Sequence, residues 1–436
     1  MSAALEYREL GEAAWAWVLG QVRGHDGPWL PDEVDDDPPQ PTGDRDTFYA
    51  GIAGLAPVLA ELARHRELDS TERALAAGIV DRLARLAPAG LEPSLYDGLA
   101  GYVAALRLLA PGRETVALDR LAELSTPAGW ATTMDVDPGS RAPLTDVVMG
   151  SAGVVMAAAW TGGEAATAIM TTGGEALLRV AEPTDGGLDW RMFPGYRSSS
   201  PNFSHGTAGV GSALAVAGHA LGRSDFVAAA RQGAEHLLRV GSLDDGGFIV
   251  EHTFPRSHRE VEPVTYNWCH GPAGTSQFFA ALARAGVEEV GGYDVGELRR
   301  RCLHSVLSSG VPQRLRPGFW DNDGRCCGTA GVGDILLDAF QDTTDDQLLA
   351  GTRKMADALV ERAIRDEAGA RWRFIEYRVE EPLLAPRTSW MQGAAGIAAF
   401  LLRFARVLQD GPAAEVVDRP DQWWAVPERL CLSRTP

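Results

Sequence analysis

A four-residue pattern, Gly-x-Ala-Gly, occurs seven times in this 436-residue chain, starting at Gly51, Gly98, Gly150, Gly206, Gly271, Gly328 and Gly393. Successive copies lie 47, 52, 56, 65, 57 and 65 residues apart, too regular for chance and too loose for a short solenoid repeat. The stretch directly after each copy is apolar on nearly every face, as in Gly101-Tyr102-Val103-Ala104-Ala105-Leu106 or Gly396-Ile397-Ala398-Ala399-Phe400-Leu401-Leu402. A helix of that kind has to be buried all round. Between the copies lie stretches with a single apolar stripe. In one of them Leu75, Ile79, Leu83 and Leu86 recur at helical spacing behind an Asp69-x-x-Glu72 capping pattern. Comparable stretches near 5–22, 115–125, 164–181, 225–240, 295–309 and 345–366 bring the amphipathic helices to seven.

Seven wholly apolar helices and seven half-polar ones are satisfied together by an all-α double-layered toroid, an inner ring inside an outer one. Small residues at the start of each inner helix let neighbouring helix ends crowd around one mouth, and glycine supplies the backbone angles for a tight entrance. Residues just ahead of each Gly then project into a shared central cavity. Seven ordinary helix starts would show only a modest excess of glycine.

The repeat spans most of the chain, so a single domain over 1–436 is expected although length alone suggests about three. The Asp- and Pro-rich segment 25–47 reads as an exposed, mobile loop between the first outer and first inner helix, and the tail from 411 to 436 reads as irregular. No apolar run is long enough to span a bilayer, and Glu6, Glu9 and Glu12 stand where a signal peptide needs basic residues. A cytoplasmic protein is expected. A formal charge of −19 excludes a general nucleic-acid-binding surface.

Three of the five cysteines sit against the repeat. Asn267-Trp268-Cys269-His270-Gly271 and Gly324-Arg325-Cys326-Cys327-Gly328 put sulfur immediately before two consecutive turns, which are neighbours in a toroid. In a reducing cytosol clustered cysteines serve as metal ligands or catalytic thiols more often than as disulfides. Three thiolates suit Zn2+, which accepts sulfur and keeps a fourth position open when catalytic. Cys302 and Cys431 lie outside any turn and read as packing residues. His205 in Asn202-Phe203-Ser204-His205-Gly206 and Asp146, four residues before Gly150, have chemistry-capable side chains at the same ring; His270 is a fourth ligand or a second acid, and Asp97 before Gly98 is explained by N-capping.

These residues resemble the lanthionine synthetase C-like proteins: the seven turns, Trp-Cys-His-Gly at 268–271, Cys-Cys-Gly at 326–328, Ser-His-Gly at 204–206 and Gln392-Gly-Ala-Ala-Gly, over roughly 5–410. The resemblance implies a double-layered α-toroid that adds a cysteine thiol to dehydroalanine or dehydrobutyrine in a dehydrated, ribosomally made precursor peptide. It implies zinc held by Cys269, Cys326 and Cys327, with His205, Asp146 and His270 as the acid–base residues. Two departures stand out. Cys327 replaces the usual His, which implies a more electron-rich site, and Pro263-Val264-Thr265-Tyr266 occupies the stretch where the family commonly carries an arginine. The first outer helix begins within ten residues of the N-terminus, so a separate dehydratase is the expected partner. Alternatives from other classes are a glutathione-type thiol donor, an inactive zinc-stabilised peptide-binding scaffold, a prenyltransferase β-subunit and a toroidal glycoside hydrolase. Gly246-Gly247-Phe248 breaks the prenyltransferase repeat, and the hydrolase would need paired carboxylates at the mouth.

Overall fold

The structure, a computed structural model, describes residues 3–24, 26–34, 43–133, 141–256, 263–313, 322–377 and 379–430. Outer and inner helices alternate along the chain: α1 (Ala3–Gln21) with α2 (Ala56–Leu62), α3 (Ser70–Leu86) with α4 (Leu99–Leu109), α5 (Thr115–Leu124) with α6 (Ser151–Thr161), α7 (Glu164–Arg179) with α8 (Thr207–Leu221), α9 (Ser224–Val240) with α10 (Pro272–Arg284), α11 (Val295–Ser308) with α12 (Thr329–Thr343), and α13 (Asp346–Arg362) with α14 (Ala394–Asp410). The first inner helix is the shortest and is led in by a 3-10 turn, Ile52–Leu55. The described strands form five two-stranded antiparallel hairpins and no larger sheet.

The expected burial patterns are present. In α8 every residue from Thr207 to Gly218 is buried, whereas in α9 burial follows Phe226, Ala229, Ala230, Gly233, Ala234 and Leu237, one stripe of an amphipathic helix. Asp69 and Glu72 cap α3 reciprocally, and Glu72 also takes bonds from Trp15 and Arg66. Inner helices pack in sequence, α2 on α4, α4 on α6, α6 on α8, α8 on α10, α10 on α12, α12 on α14 and α14 back on α2, which closes the inner ring. The outer helix α1 seals the closure by lying along α14. The fold is the α/α toroid.

The mouth closes through backbone hydrogen bonds. Tyr49 N donates to Tyr96 O (2.9 Å), Tyr96 N to Val148 O (3.3 Å), Val147 N to Ser204 O (3.1 Å) and Ser204 N to Cys269 O (2.9 Å). Cys269 N then donates to Cys326 O (3.2 Å), Cys326 N to Met391 O (2.9 Å) and Met391 N back to Tyr49 O (3.2 Å). All seven acceptors hold the same register, two residues before the first glycine of their turn.

The glycines are required by close approach and not, as the sequence suggests, by unusual backbone angles. Each first glycine caps an inner segment in extended backbone with φ between −100° and −165°, which any residue adopts. The chain ahead of it curls back along the helix end, so that the first helical N–H groups donate to carbonyls seven residues earlier, as Leu99 does to Glu92 (2.8 Å) and Ala394 to Arg387 (2.9 Å). That satisfies the orphan donors of the helix start without any side-chain cap. A Cβ on the first glycine would lie 1.5–2.7 Å from the carbonyl oxygen six residues back, and on the second glycine 1.8–2.5 Å from the corresponding oxygen. On Gly54, Gly101, Gly153, Gly209, Gly274 and Gly396 it would also fall 2.5–2.8 Å from a side chain of the preceding turn: Trp390, Phe48, Leu95, Val147, Phe203 or Arg325. Crowding of neighbouring helix ends is therefore real.

One expectation needs correction. The described flanks of the 25–47 segment are anchored, with Trp29, Leu30, Phe48 and Thr47 buried, Arg23 paired with Trp29, and Thr388 N donating to Asp32 O (2.9 Å); residues 35–42 lie outside the described residues. The tail is irregular through residue 430 apart from two 3-10 turns, but much of it is buried inside the toroid. Arg419 donates to Asp334 (2.7 Å), Gln422 to Asp338 (2.8 Å), Trp424 to the Gln277 carbonyl (3.0 Å), and Asp421 accepts from Tyr96 (3.0 Å). Burial alone would push the Asp334 carboxyl up, but Arg325, Arg403 and Arg419 around it hold it well below the usual carboxylate range.

Gly209→Ala and Gly274→Ala should each destabilise the fold by about 3 kcal/mol or more, because backbone and a neighbouring turn would have to move. Gly20→Ala, in α1 with open space around it, should be neutral or stabilising by about 0.5–1 kcal/mol. Urea denaturation of the three variants checks the contrast.

Candidate active site

In each turn the residue three before the first glycine faces inward, and one or both of the next two line the mouth. The inward set, Phe48, Leu95, Val147, Phe203, Trp268, Arg325 and Trp390, is buried throughout and floors the site. Its aromatic members meet edge to face or tilted, with Phe203–Trp268 at 5.5 Å and Phe48–Trp390 at 6.1 Å between ring centroids. The mouth-facing set lines a cavity of about 290 Å³: Tyr49, Asp97, Val148, Ser204, His205, Cys269, His270, Cys326, Cys327 and Gln392. Asn322, and Phe374 and Glu376 from the hairpin that pairs Arg373–Ile375 with Leu383–Pro386, complete the wall.

Cys269, Cys326 and Cys327 are buried and converge, with their sulfurs all within 4.8 Å of one another. Cys269 and Cys327 are 3.4 Å apart and Cys326 and Cys327 3.2 Å, far beyond a disulfide bond. Sulfurs in a tetrahedral zinc site with Zn–S about 2.3 Å are separated by roughly 3.8 Å, so small shifts would accommodate the ion. Hydrogen bonds from Cys269 and Cys327, followed by one from Tyr49, hold the Cys326 thiol well below its ordinary value, whereas burial pushes Cys269 well up. Three thiols this close form a soft donor set from which a soft dication could displace protons. Among the described residues this is the one group of three or more His, Cys, Asp or Glu placed to hold a metal. Asn267 accepts from Cys269 Sγ (3.3 Å) and from His270 N (3.0 Å), bracing the turn. Cys302 is buried within α11, away from the cluster, and Cys431 lies outside the described residues.

His205 and Asp146 form the second part of the site. His205 Nδ1 donates to Asp146 Oδ2 (2.6 Å), while Asp146 Oδ1 accepts from Met149 N (2.8 Å). The carboxylate is completely buried and the His205 side chain is 26% exposed, so the carboxylate anchors and the imidazole faces the cavity. Burial works against the charged imidazolium, but the hydrogen bond and charge of Asp146 outweigh it and raise the His205 pKa. With Nδ1 committed to Asp146, Nε2 is the nitrogen left for chemistry. His270 lies beside this pair, 5.5 Å from His205 and 3.7 Å from His252 between ring centroids, the latter edge to face.

Five of the six residues singled out from the sequence line one cavity, and the sixth, Asp146, is buried behind His205. Asp97 also lines the cavity and is no helix cap, since Gly98 occupies the N-cap of α4 without side-chain help. Sequence reasoning missed Tyr49 and the role of Gln392, although both hold mouth-facing positions of their turns and could have been found by that register. Phe374 and Glu376 carry no local signal.

The profile of lanthionine synthetase C-like proteins matches residues 43–409. The chain belongs to the lanthionine synthetase C-like family. A solved structure of nisin cyclase resembles this member of the family at a TM-score of 0.55 and 15% identity, over 84% of this chain and 89% of that one. That likeness bears on the fold alone. Two others cover most of the chain with lower TM-scores: cellobiose 2-epimerase from Spirochaeta thermophila (0.46, 12% identity, 93% of this chain and 96% of that one) and a sugar epimerase from a ruminal bacterium (0.45, 11% identity, 96% and 100%). No curated protein sequence matches it.

Purified protein should bind one zinc ion per chain. Cys269→Ala, Cys326→Ala and Cys327→Ala should each lose it while Cys302→Ala keeps it, as read by elemental analysis on folded samples.

Proposed function

We propose that this protein is a zinc-dependent cyclase that joins cysteine thiols to dehydroalanine or dehydrobutyrine in a dehydrated precursor peptide, forming thioether rings. The observation that carries this reading is the pairing, across one cavity, of a three-cysteine cluster with an imidazole held by a buried carboxylate. A zinc ion held by Cys269, Cys326 and Cys327 would supply the Lewis acidity that keeps a substrate thiol deprotonated near neutral pH.

The chain's own residues do the rest. The floor of Phe48, Phe203, Trp268 and Trp390 closes the cavity from below, leaving the peptide to approach from the mouth. As the substrate sulfur bonds to the β-carbon, the π electrons move onto the α-carbon and its carbonyl, and that carbon then takes a proton. His205 Nε2 delivers it, with Asp146 fixing the ring and stabilising the imidazolium beforehand. His270, seated against His252, assists at the wall of the same cavity. The thiol's proton ends, in net balance, on the α-carbon, so no oxidant or reductant is needed.

Dehydration of serine and threonine precedes this step and falls to a separate dehydratase. Three free thiols in one cavity fit a reducing compartment, the cytoplasm. No helix among the described residues is long and apolar enough to cross a membrane.

Incubation with a dehydrated peptide containing one cysteine, with mass spectrometry after thiol alkylation, tests the function. Ring closure removes the alkylatable thiol without changing the peptide mass, and failure to do so on several dehydrated peptides would count against the proposal.

His205→Asn should retain metal and fold yet slow closure by about 10²–10⁴-fold. Because the raised His205 pKa keeps the acid form present to higher pH, the wild-type rate should fall as pH rises through that pKa. Asp146→Asn removes the hydrogen bond and charge that do most to offset burial, so the fall should move to lower pH. A pH–rate profile of the two enzymes gives the sign.

A further inference from the structure

The hairpin in the cavity wall has one edge paired and one edge open. Leu383–Pro386 pairs with Arg373–Ile375 on one side, and its end is bonded on the other to the segment 32–34, where Val34 N donates to Pro386 O (3.0 Å) and Thr388 N to Asp32 O (2.9 Å). Arg373–Ile375 has a strand on one side alone. Glu376 N donates to Pro382 O (2.9 Å), which fixes the register of the ladder. Phe374 and Glu376 turn their main-chain groups towards the partner strand, and Ile375, between them, turns its N–H and C=O away. Neither group of Ile375 has a main-chain partner among the described residues.

This edge borders the site. Side chains alternate along a strand, so Phe374 and Glu376 share the face opposite to that of Ile375, and both line the cavity with His205 and the cysteines. Met391, on the turn that follows the hairpin, is bonded to Cys326 on one side and to Tyr49 on the other. The segment 32–34 leads into the Tyr49 turn and covers that side of the hairpin, so the open edge lies on the side of Cys326 and Cys327. Ile375 is only 9% exposed, and main-chain groups so little in reach of water are paired in nearly every protein.

We propose that the Ile375 main chain is the docking edge for the dehydrated peptide, which adds to it in extended form as a further strand. This rests on the reading of the protein as a peptide cyclase. Pairing at an open strand edge supplies affinity through the main chain, and alternate side chains supply specificity. The peptide residue opposite Ile375 keeps its side chain away from the cavity, and its two neighbours, opposite Phe374 and Glu376, send theirs in. Because the edge lies on the sulfur side, the reacting cysteine is one of those neighbours. The residue beside that cysteine must therefore present an N–H, which defines the substrate class: extended segments in which this residue is neither proline nor N-methylated.

The test follows closure of a one-cysteine dehydrated peptide at several concentrations, giving KM and kcat. An N-methyl group is placed in turn on the cysteine and on each of its two neighbours. On one neighbour it should raise KM about tenfold, the loss of one main-chain hydrogen bond, with kcat unchanged, and on the cysteine it should leave KM as it is. On the protein side, Ile375→Pro removes the outward N–H and no ladder bond, so it should raise KM in the same way, whereas Ile375→Val should match wild type. Thermal unfolding of both variants checks that they fold. If KM is the same for every N-methylated peptide, the docking edge is wrong while cyclisation stands. If light scattering shows a dimer that Ile375→Pro dissociates, the edge belongs to a second copy of the chain and the proposal falls. If wild type closes no dehydrated peptide, the cyclase reading fails and takes this proposal with it.

Discussion

The site depends on a ring of seven backbone hydrogen bonds that runs from turn to turn around the mouth and closes between Met391 and Tyr49. Main-chain groups have fixed geometry and little freedom, so whatever side chains stand beside this ring are aimed as accurately as the ring is closed. Cys269 and Cys326 are members of it, and His205, His270, Cys327 and Gln392 come one residue later. The ring exists because each inner helix has its first N–H groups satisfied by the chain that leads into it, which leaves those leading residues free to bond sideways. Glycine at both ends of the Gly-x-Ala-Gly pattern is the steric condition for this arrangement, since any Cβ would strike a carbonyl.

Below the ring the toroid solves a different problem. Seven inner helices enclose more space than their largely small and aliphatic side chains fill, and the chain's own tail completes the packing. It brings polar as well as apolar groups, and Asp334, Asp338, Arg325, Arg403 and Arg419 are all buried together. Such a network costs desolvation that only dense mutual pairing offsets. Removing one member would leave a buried charge, so the tail and α12 are bound to one another. Through Asp421 and Tyr96 this packing reaches the ring itself.

Electrostatics divide the cavity into two halves. One holds three closely spaced thiols whose protons a soft cation can displace. The other holds His205, whose proton affinity is raised by a fully buried carboxylate. A nucleophile stabilised as an anion and an acid stabilised as a cation are the two requirements of adding a thiol across a polarised double bond. Neither half has that character without neighbours: burial alone would keep the cysteines protonated and His205 neutral.

Periodicity was enough to read fourteen helices, two layers and the grouping of Cys269, Cys326, Cys327, His205, Asp146 and His270, because a repeated turn carries its register in the sequence. Burial all round an inner helix, likewise, is written in its composition. Contacts between residues far apart in the chain left no such trace. The hairpin bringing Phe374 and Glu376 to the cavity, the tail threading Arg419 against Asp334, and the bond from Gln392 to Tyr49 all join segments far apart in the chain. The reason for the glycines also lay out of reach, since extended φ values and a carbonyl six residues back are facts of packing. Sequence by itself determined the toroid and the register of its turns, because local helix patterning repeated seven times admits one closed arrangement. Only the tertiary structure decided which way each hydrogen bond runs and what fills the centre, because those depend on distances between turns that the sequence never places side by side.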